Sequence, residues 1–167
     1  MANKIAQSVA VALLTAIGLS AATARAESSV ERGKYLVGIM DCTGCHSTGA
    51  LTGQPDATHF LAGSDVGFQI PGLGIFYPPN LTSDGKTGLG AWSEQDIATA
   101  LRTGVRPDGR ELAPAMPWRS YAKLTDADLQ AVAAYLKSLP PVDHETPRLV
   151  GESEKAPGPY FTVAIPN

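Results

Sequence analysis

The sequence predicts an all-α domain of about three main helices and one long irregular loop whose core needs a bound group to be complete. Three observations lead there. Capped apolar patterns with helical period recur in three places, while residues 47–91 carry neither the period of a strand nor that of a helix. The stretch Cys42-Thr43-Gly44-Cys45-His46 has the Cys-x-x-Cys-His spacing that attaches a c-type haem.

Taken in chain order, Lys4 precedes an apolar run from Val9 to Leu19, and Ala24-Arg25-Ala26 places small residues at both specificity positions of a signal peptidase. Residues 1–26 are therefore expected to be a signal peptide, cleaved after Ala26, with the mature protein in the periplasm. The run is eleven residues long, short of the roughly twenty that span a bilayer. An uncleaved N-terminal helix acting as an anchor is the alternative. No later segment is apolar enough to cross a membrane, so membrane contact is expected only through partners.

About 140 residues remain, which suits one domain, expected over 27–141, with 142–167 as a C-terminal extension. The full chain has a formal charge of −3, and the leader holds Lys4 and Arg25, so the mature part is more acidic still. That balance argues against nucleic acid as a partner and is compatible with docking on basic patches of redox proteins.

The first helix should start at Ser28, because Ser28-Ser29-Val30-Glu31 matches a capping box, and run towards Asp41. Gly33 inside it costs about 1 kcal/mol relative to alanine, so close approach by another helix is expected. The second helix spans Glu94 to Thr103, with Ser93 as its cap, Ile97 and Leu101 four apart, and Gly104 at its end. For the third, Asp126 to Leu139, Thr125 and Asp128 supply the cap, while Leu129, Val132, Ala133 and Leu136 supply the face; Pro140 and Pro141 stop it.

Cys42 and Cys45 are the only cysteines. Zinc would need a fourth ligand beyond Cys42, Cys45 and His46. A thioredoxin-like pair would need a βαβ setting, and a disulfide across so short a loop would gain little. Haem attachment through both thiols, with His46 as the proximal iron ligand, is the reading that uses all three residues. A single motif implies one haem c. The loop 47–91 would then pack Leu61, Phe68, Ile75, Phe76 and Tyr77 around the macrocycle rather than stand as a structureless insertion.

The second axial position has few candidates. Met1 leaves with the leader, and Met40 is two residues before Cys42. Met116 lies in Pro114-Ala115-Met116-Pro117, where the flanking prolines stiffen the backbone. Met116 is the expected distal ligand; His59 and His144 are the rivals, otherwise surface histidines. Trp92, Tyr77, Trp118 and Arg110 are candidates for contacts with the haem propionates, with ordinary packing as the alternative for each. Arg102, Arg106 and Arg110, near the end of the second expected helix, read together as a solvated face.

With Arg32-Gly33-Lys34-Tyr35-Leu36, the haem motif, Asn80-Leu81-Thr82, Thr87-Gly88-Leu89-Gly90-Ala91-Trp92-Ser93, Pro114-Ala115-Met116-Pro117 and Leu136-Lys137-Ser138-Leu139-Pro140-Pro141 in view, the chain resembles single-haem class I cytochrome c domains. It is most similar to the repeated units of the cytochrome c subunits of bacterial alcohol, aldehyde and gluconate dehydrogenases, over residues 30 to 141. The resemblance implies an all-α class I cytochrome c fold whose first and last helices cross near Gly33 and Tyr135. It also implies haem on Cys42 and Cys45, with His46 proximal and Met116 distal. This chain differs from those subunits in carrying one haem motif rather than three, and in the sequence Pro71 to Asn80.

The expected function is that of a periplasmic electron carrier in a respiratory chain. It would take single electrons from a dehydrogenase and pass them to a terminal oxidase or another cytochrome, with no small-molecule substrate. The alternative is a haem enzyme, peroxidase-like or sulfur-oxidising, whose iron is open to substrate; no acid–base cluster or nucleophile in the sequence favours it.

Overall fold

Gly33 sets the frame of the molecule. A computed structural model describes residues 27–164 and 166; the expected signal peptide, residues 1–26, lies outside the described residues. In it, helix α1 (Ser29–Ile39) crosses a late helix, Asp126–Ser138, so closely that a Cβ built on Gly33 would lie 1.9 Å from the Ala131 carbonyl oxygen. The glycine is thus explained by backbone-to-backbone contact, at the crossing the resemblance implies. Arg32 adds an ion pair to Asp128 at 2.9 Å, at the surface and screened by solvent.

Helix α1 begins with a complete capping box, Glu31 N–H donating to the Ser28 hydroxyl and Ser28 N–H to the Glu31 carboxylate. One turn later comes α2 (Cys42–His46). Asp41 turns the chain between them with φ 53°, a conformation its short polar side chain tolerates, and its carboxylate accepts from Gly44 N–H at 3.2 Å. Helix α3 (Glu94–Thr103) carries a second capping box, Ser93 with Asp96, and ends at Gly104 with φ 75°. The short α4 (Trp118–Tyr121) follows, then α5 (Asp126–Ser138), capped by Thr125. Arg102 of α3 ties these together by donating to the carbonyls of Ala122 and Leu124 and pairing with Asp126. It is a structural brace rather than part of a solvated face.

The core lies among α1, α3 and α5 and contains Leu36, Val37, Ile97, Leu101, Val132 and Leu136. Leu61, fully buried, reaches it from the loop with φ 56°.

The helices expected from caps and periodicity are present, but the domain is not purely helical. Strands β1 (Gly67–Ile70) and β2 (Gly74–Phe76) form an antiparallel hairpin, and β3 (Tyr160–Phe161) joins β1 in parallel, giving the order β2-β1-β3. Strands of four, three and two residues are too short to show a period. The third comes from far along the chain, so local pattern cannot announce the sheet.

The segment after Pro141 runs back along the loop. Val150 is buried against Ile75, with which it exchanges two backbone hydrogen bonds. Tyr77 donates its hydroxyl proton to Gly158 O and accepts from Gly158 N–H, and the rings of Phe68 and Phe161 lie 5.8 Å apart. Truncation before Pro157 is expected to lower stability by about 2 kcal/mol, mainly through these lost hydrogen bonds and the strand pair. An unchanged thermal midpoint would show that the tail contributes nothing to its own domain.

Candidate functional site

A cavity of about 370 Å³ opens beside α2. Cys42, Cys45 and His46 line it from α2, and Met116 lines it from the stretch between α3 and α4. The core contributes Ile97, Leu101, Val132 and Leu136, so the hydrophobic interior faces this hollow directly. From the loop, Phe68, Phe76 and Tyr77 line it, and from the C-terminal segment Thr146 to Leu149. Leu61 and Ile75, expected around a macrocycle, do not; each is buried elsewhere, Leu61 in the helical core and Ile75 against Val150. A second hollow of about 380 Å³, on the outer side of α3 and α5, is lined largely by polar residues such as Gln95 and Gln130 and holds none of the expected site residues.

Local sequence explains how α2 presents its groups. A single turn of helix places Cys42, Cys45 and His46 within one short element, and a Cβ built at residue 44 would lie 2.5 Å from the Asp41 carboxylate, so glycine there preserves the cap. The two thiols are free of a disulfide. Burial pushes the Cys42 thiol up to about 11, and burial followed by the Asp41 charge raises Cys45. Both therefore stand as S–H groups at neutral pH.

His46 is 8% exposed. Its Nδ1–H donates to the Pro79 carbonyl at 2.8 Å, which assigns the proton to Nδ1 and leaves the Nε2 lone pair for a metal. Burial lowers its proton affinity, with the Pro79 carbonyl acting in the opposite sense, so the ring is held neutral. No hydrogen bond reaches Nε2 from the described residues.

Met116 is partly buried against the core. Its backbone is held by Met116 N–H to Ala113 O at 2.9 Å and Trp118 N–H to Met116 O at 2.8 Å. Met40 also lines the cavity, from the end of α1, and its carbonyl accepts the Tyr121 hydroxyl proton. The rival histidines do not line it: His59 and His144 stack edge to face at 5.0 Å, His59 paired with Asp56 and His144 donating from Nδ1 to Ala62 O.

Of the residues expected near acidic substituents, Trp92, Tyr77 and Arg110 line the cavity, whereas Trp118 covers Gly104 instead. Arg106, assigned by sequence to a solvated face, lines it too, lies 5.3 Å over the Trp92 ring, and has a buried Nε with no partner. An apolar hollow with two thiols and a neutral imidazole at one side, and an orphaned guanidinium donor at another, fits a flat apolar macrocycle bearing carboxylates. Sequence spacing alone did not distinguish Arg106 from its neighbours, since its role depends on Trp92 and on the turn that follows it.

The family model for cytochrome c matches residues 30–140. Among characterised proteins, the chain is 36% identical over 130 residues to the cytochrome c subunit of a quinone alcohol dehydrogenase from Gluconobacter oxydans, covering 74% of this chain and 25% of that one. It is 38% identical over 122 residues to the fructose dehydrogenase cytochrome subunit of Gluconobacter japonicus, covering 72% and 23%. To a subunit of the nicotinate dehydrogenase of Pseudomonas putida it is 37% identical over 118 residues, covering 71% and 9%. The chain thus spans a quarter or less of the length of these relatives.

Proposed function

Because the chain belongs to the cytochrome c family, we propose that it is a periplasmic electron carrier with one covalently bound haem c, accepting electrons from a dehydrogenase and passing them to a terminal oxidase or another cytochrome. The observation that carries this reading is the placement of Cys42, Cys45, His46 and Met116 on one apolar cavity, with His46 Nδ1 committed to the Pro79 carbonyl. Relatives named as cytochrome subunits of alcohol and fructose dehydrogenases support the donor. Export is supported by the Ala24-Arg25-Ala26 site, and among the described residues no helix is long and apolar enough to cross a membrane.

Cys42 and Cys45 would hold the haem through their sulfurs, and His46 Nε2 and the Met116 thioether would ligate its iron. A haem so bound supplies a one-electron iron couple, whose potential is higher with methionine–histidine than with bis-histidine ligation. The protein does the rest. Pro79 fixes the tautomer and aim of His46. Leu101, Val132 and Leu136 exclude water from one side of the cavity, and the tail segment Thr146 to Leu149 covers another. Met116, held between Pro114 and Pro117, would as a ligand deny small molecules an open coordination position, which suits transfer rather than turnover of a substrate.

Optical spectra of the periplasmically matured protein test this. The oxidised form is expected to show the weak near-infrared sulfur-to-iron band, and the ferrous form to bind CO poorly. Met116→Ala is expected to abolish the band and open the iron to CO. A wild-type protein without the band, binding CO or reacting readily with peroxide, would favour the haem enzyme instead.

A further inference from the structure

The two histidines that do not line the cavity meet where the tail crosses the loop. His59 ends the short turn Ala57–His59, and His144 stands two residues before the stretch Thr146 to Leu149 that walls the cavity. The tail passes close to the loop here: a Cβ built on Gly63 would lie 2.3 Å from the Thr146 methyl carbon. The His144 backbone N–H donates to Thr87 Oγ1 at 3.2 Å.

Each ring has one nitrogen already committed. His144 Nδ1–H donates to Ala62 O at 2.8 Å, and His59 Nδ1–H donates to the Asp56 carboxylate at 2.8 Å. The Thr58 hydroxyl and the His59 ring hold the Asp56 carboxyl down to about 2, so it stays an ionised acceptor. A further proton on either ring therefore goes to Nε2. That of His144 faces Asp65 Oδ1 at 3.5 Å. With a neutral ring, a lone pair and a carboxylate oppose each other there; a proton turns the same contact into an ion pair. His144 is 18% exposed and Asp65 52%, so solvent screens that pair only in part.

The surrounding charges favour such a proton. Asp56 and Asp65 face the rings directly, and Asp84 lies behind Thr87, whose N–H and hydroxyl donate to it. Asp143 and Glu145 flank His144 in the chain, and Lys86 pairs with Asp143 at 3.9 Å. Five carboxylates thus stand against one lysine. The rings themselves meet edge to face at 5.0 Å, so one proton leaves a cation beside a neutral ring, whereas two would place like charges together.

We propose that His144, with Asp65, His59 and Asp56, forms a proton-operated clasp that fastens the C-terminal segment over the cavity as pH falls. Lifting the tail separates His144 from Asp65, so the fastened state gains more from the proton than the open one. By linkage, attachment strengthens as pH falls through the range in which imidazoles titrate and weakens as pH rises through it. Thr146 to Leu149 follow within a few residues, so the clasp governs how firmly this wall shields the cavity. It depends on contacts between protein groups alone, whatever group fills the hollow.

The test is amide hydrogen exchange on the haem-loaded protein between about pH 8 and about pH 5.5, corrected for the intrinsic pH dependence of exchange. The amides to follow are His144 N–H and Val150 N–H, which donates to Ile75 O, with Val132 in α5 as the control. Protection at His144 and Val150 is expected to rise about threefold on acidification, the size of a partly screened ion pair, while Val132 does not follow. Asp65→Asn and His144→Asn should each abolish the rise; asparagine at 144 can still donate to Ala62 O but cannot take up the proton. Glu145→Gln should keep it.

Protection that stays flat or falls with acid in the wild type would overturn the proposal, the latter by showing that repulsion between the rings prevails. A rise shared equally by Val132 would overturn it too, since the proton would then act on the whole domain. If His144→Asn loosens the tail at every pH, Asp65→Asn decides: an acid-strengthened tail in that variant excludes the clasp, and its loss supports it.

Discussion

Asn80→Leu is expected to destabilise the protein by about 4 kcal/mol, because it strips a buried hydrogen-bonding hub. Asn80 is 2% exposed. Its Oδ1 accepts from Thr82 N–H at 2.9 Å and from the Thr82 hydroxyl at 2.7 Å, while its Nδ2 donates to Thr87 Oγ1 at 2.9 Å and to Val142 O at 2.8 Å. Leucine has the same number and branching of side-chain heavy atoms, so no cavity is left and the loss is chiefly polar. It leaves the Thr82 amide and the Val142 carbonyl without partners, each costing about 1–3 kcal/mol. Hydrogen exchange should locate the damage: Val142 N–H, which donates to Thr82 Oγ1, and His144 N–H, which donates to Thr87 Oγ1, should lose protection first. Protection unchanged at both amides would mean that the tail is held independently of Asn80.

The second large effect falls on the α1–α5 crossing. Gly33→Ala should cost about 3 kcal/mol through overpacking, roughly 10 °C in melting temperature for a domain of this size. The added methyl would meet the Ala131 carbonyl oxygen at 1.9 Å and Tyr135 Cβ at 2.7 Å, both in α5. Backbone oxygen cannot rotate away as a side chain does, so the helices must separate. Helix propensity alone predicts the opposite sign, since alanine is favoured over glycine by about 1 kcal/mol. Gly38, in the same helix and exposed, supplies the contrast: nothing lies within 4 Å of its built Cβ, and Gly38→Ala should be neutral or stabilising by about 0.5 kcal/mol. Equal melting temperatures for the two variants would contradict the role given to the crossing.

What could be read from the sequence and what could not divides along contact range. The capping boxes at Ser28 and Ser93 and the Thr125 cap each join residues three apart, so α1, α3 and α5 are written locally. The haem motif is equally local: one turn of helix carries both thiols and the imidazole. Met116 was reachable through the scarcity of methionines and the stiffness of its two prolines.

The rest depends on distant partners. Pro79 joins His46, Thr146 to Leu149 join the cavity wall, and Tyr160 and Phe161 join β1, each across a long stretch of chain with no period to announce it. Hydrophobicity marked Leu61, Phe68 and Ile75 as buried or half-buried but could not say which of them would face the cavity, since that follows from the φ of Leu61 and the pairing of Ile75 with Val150. Arg106 looked like one of three surface cations until Trp92 and the turn at Gly109 set it inward.

By itself, then, the sequence determined the three main helices, the short motif that gathers two thiols and an imidazole, and the glycine at the helix crossing, because these depend on neighbours within about one helical turn or on residue types whose chemistry is unambiguous. Tertiary structure alone decided the sheet, the course of the tail, and which arginines turn towards the cavity. Those choices are made by backbone pairing and burial between segments far apart in the chain, where the free energy of a contact exists only once the fold has brought both sides together.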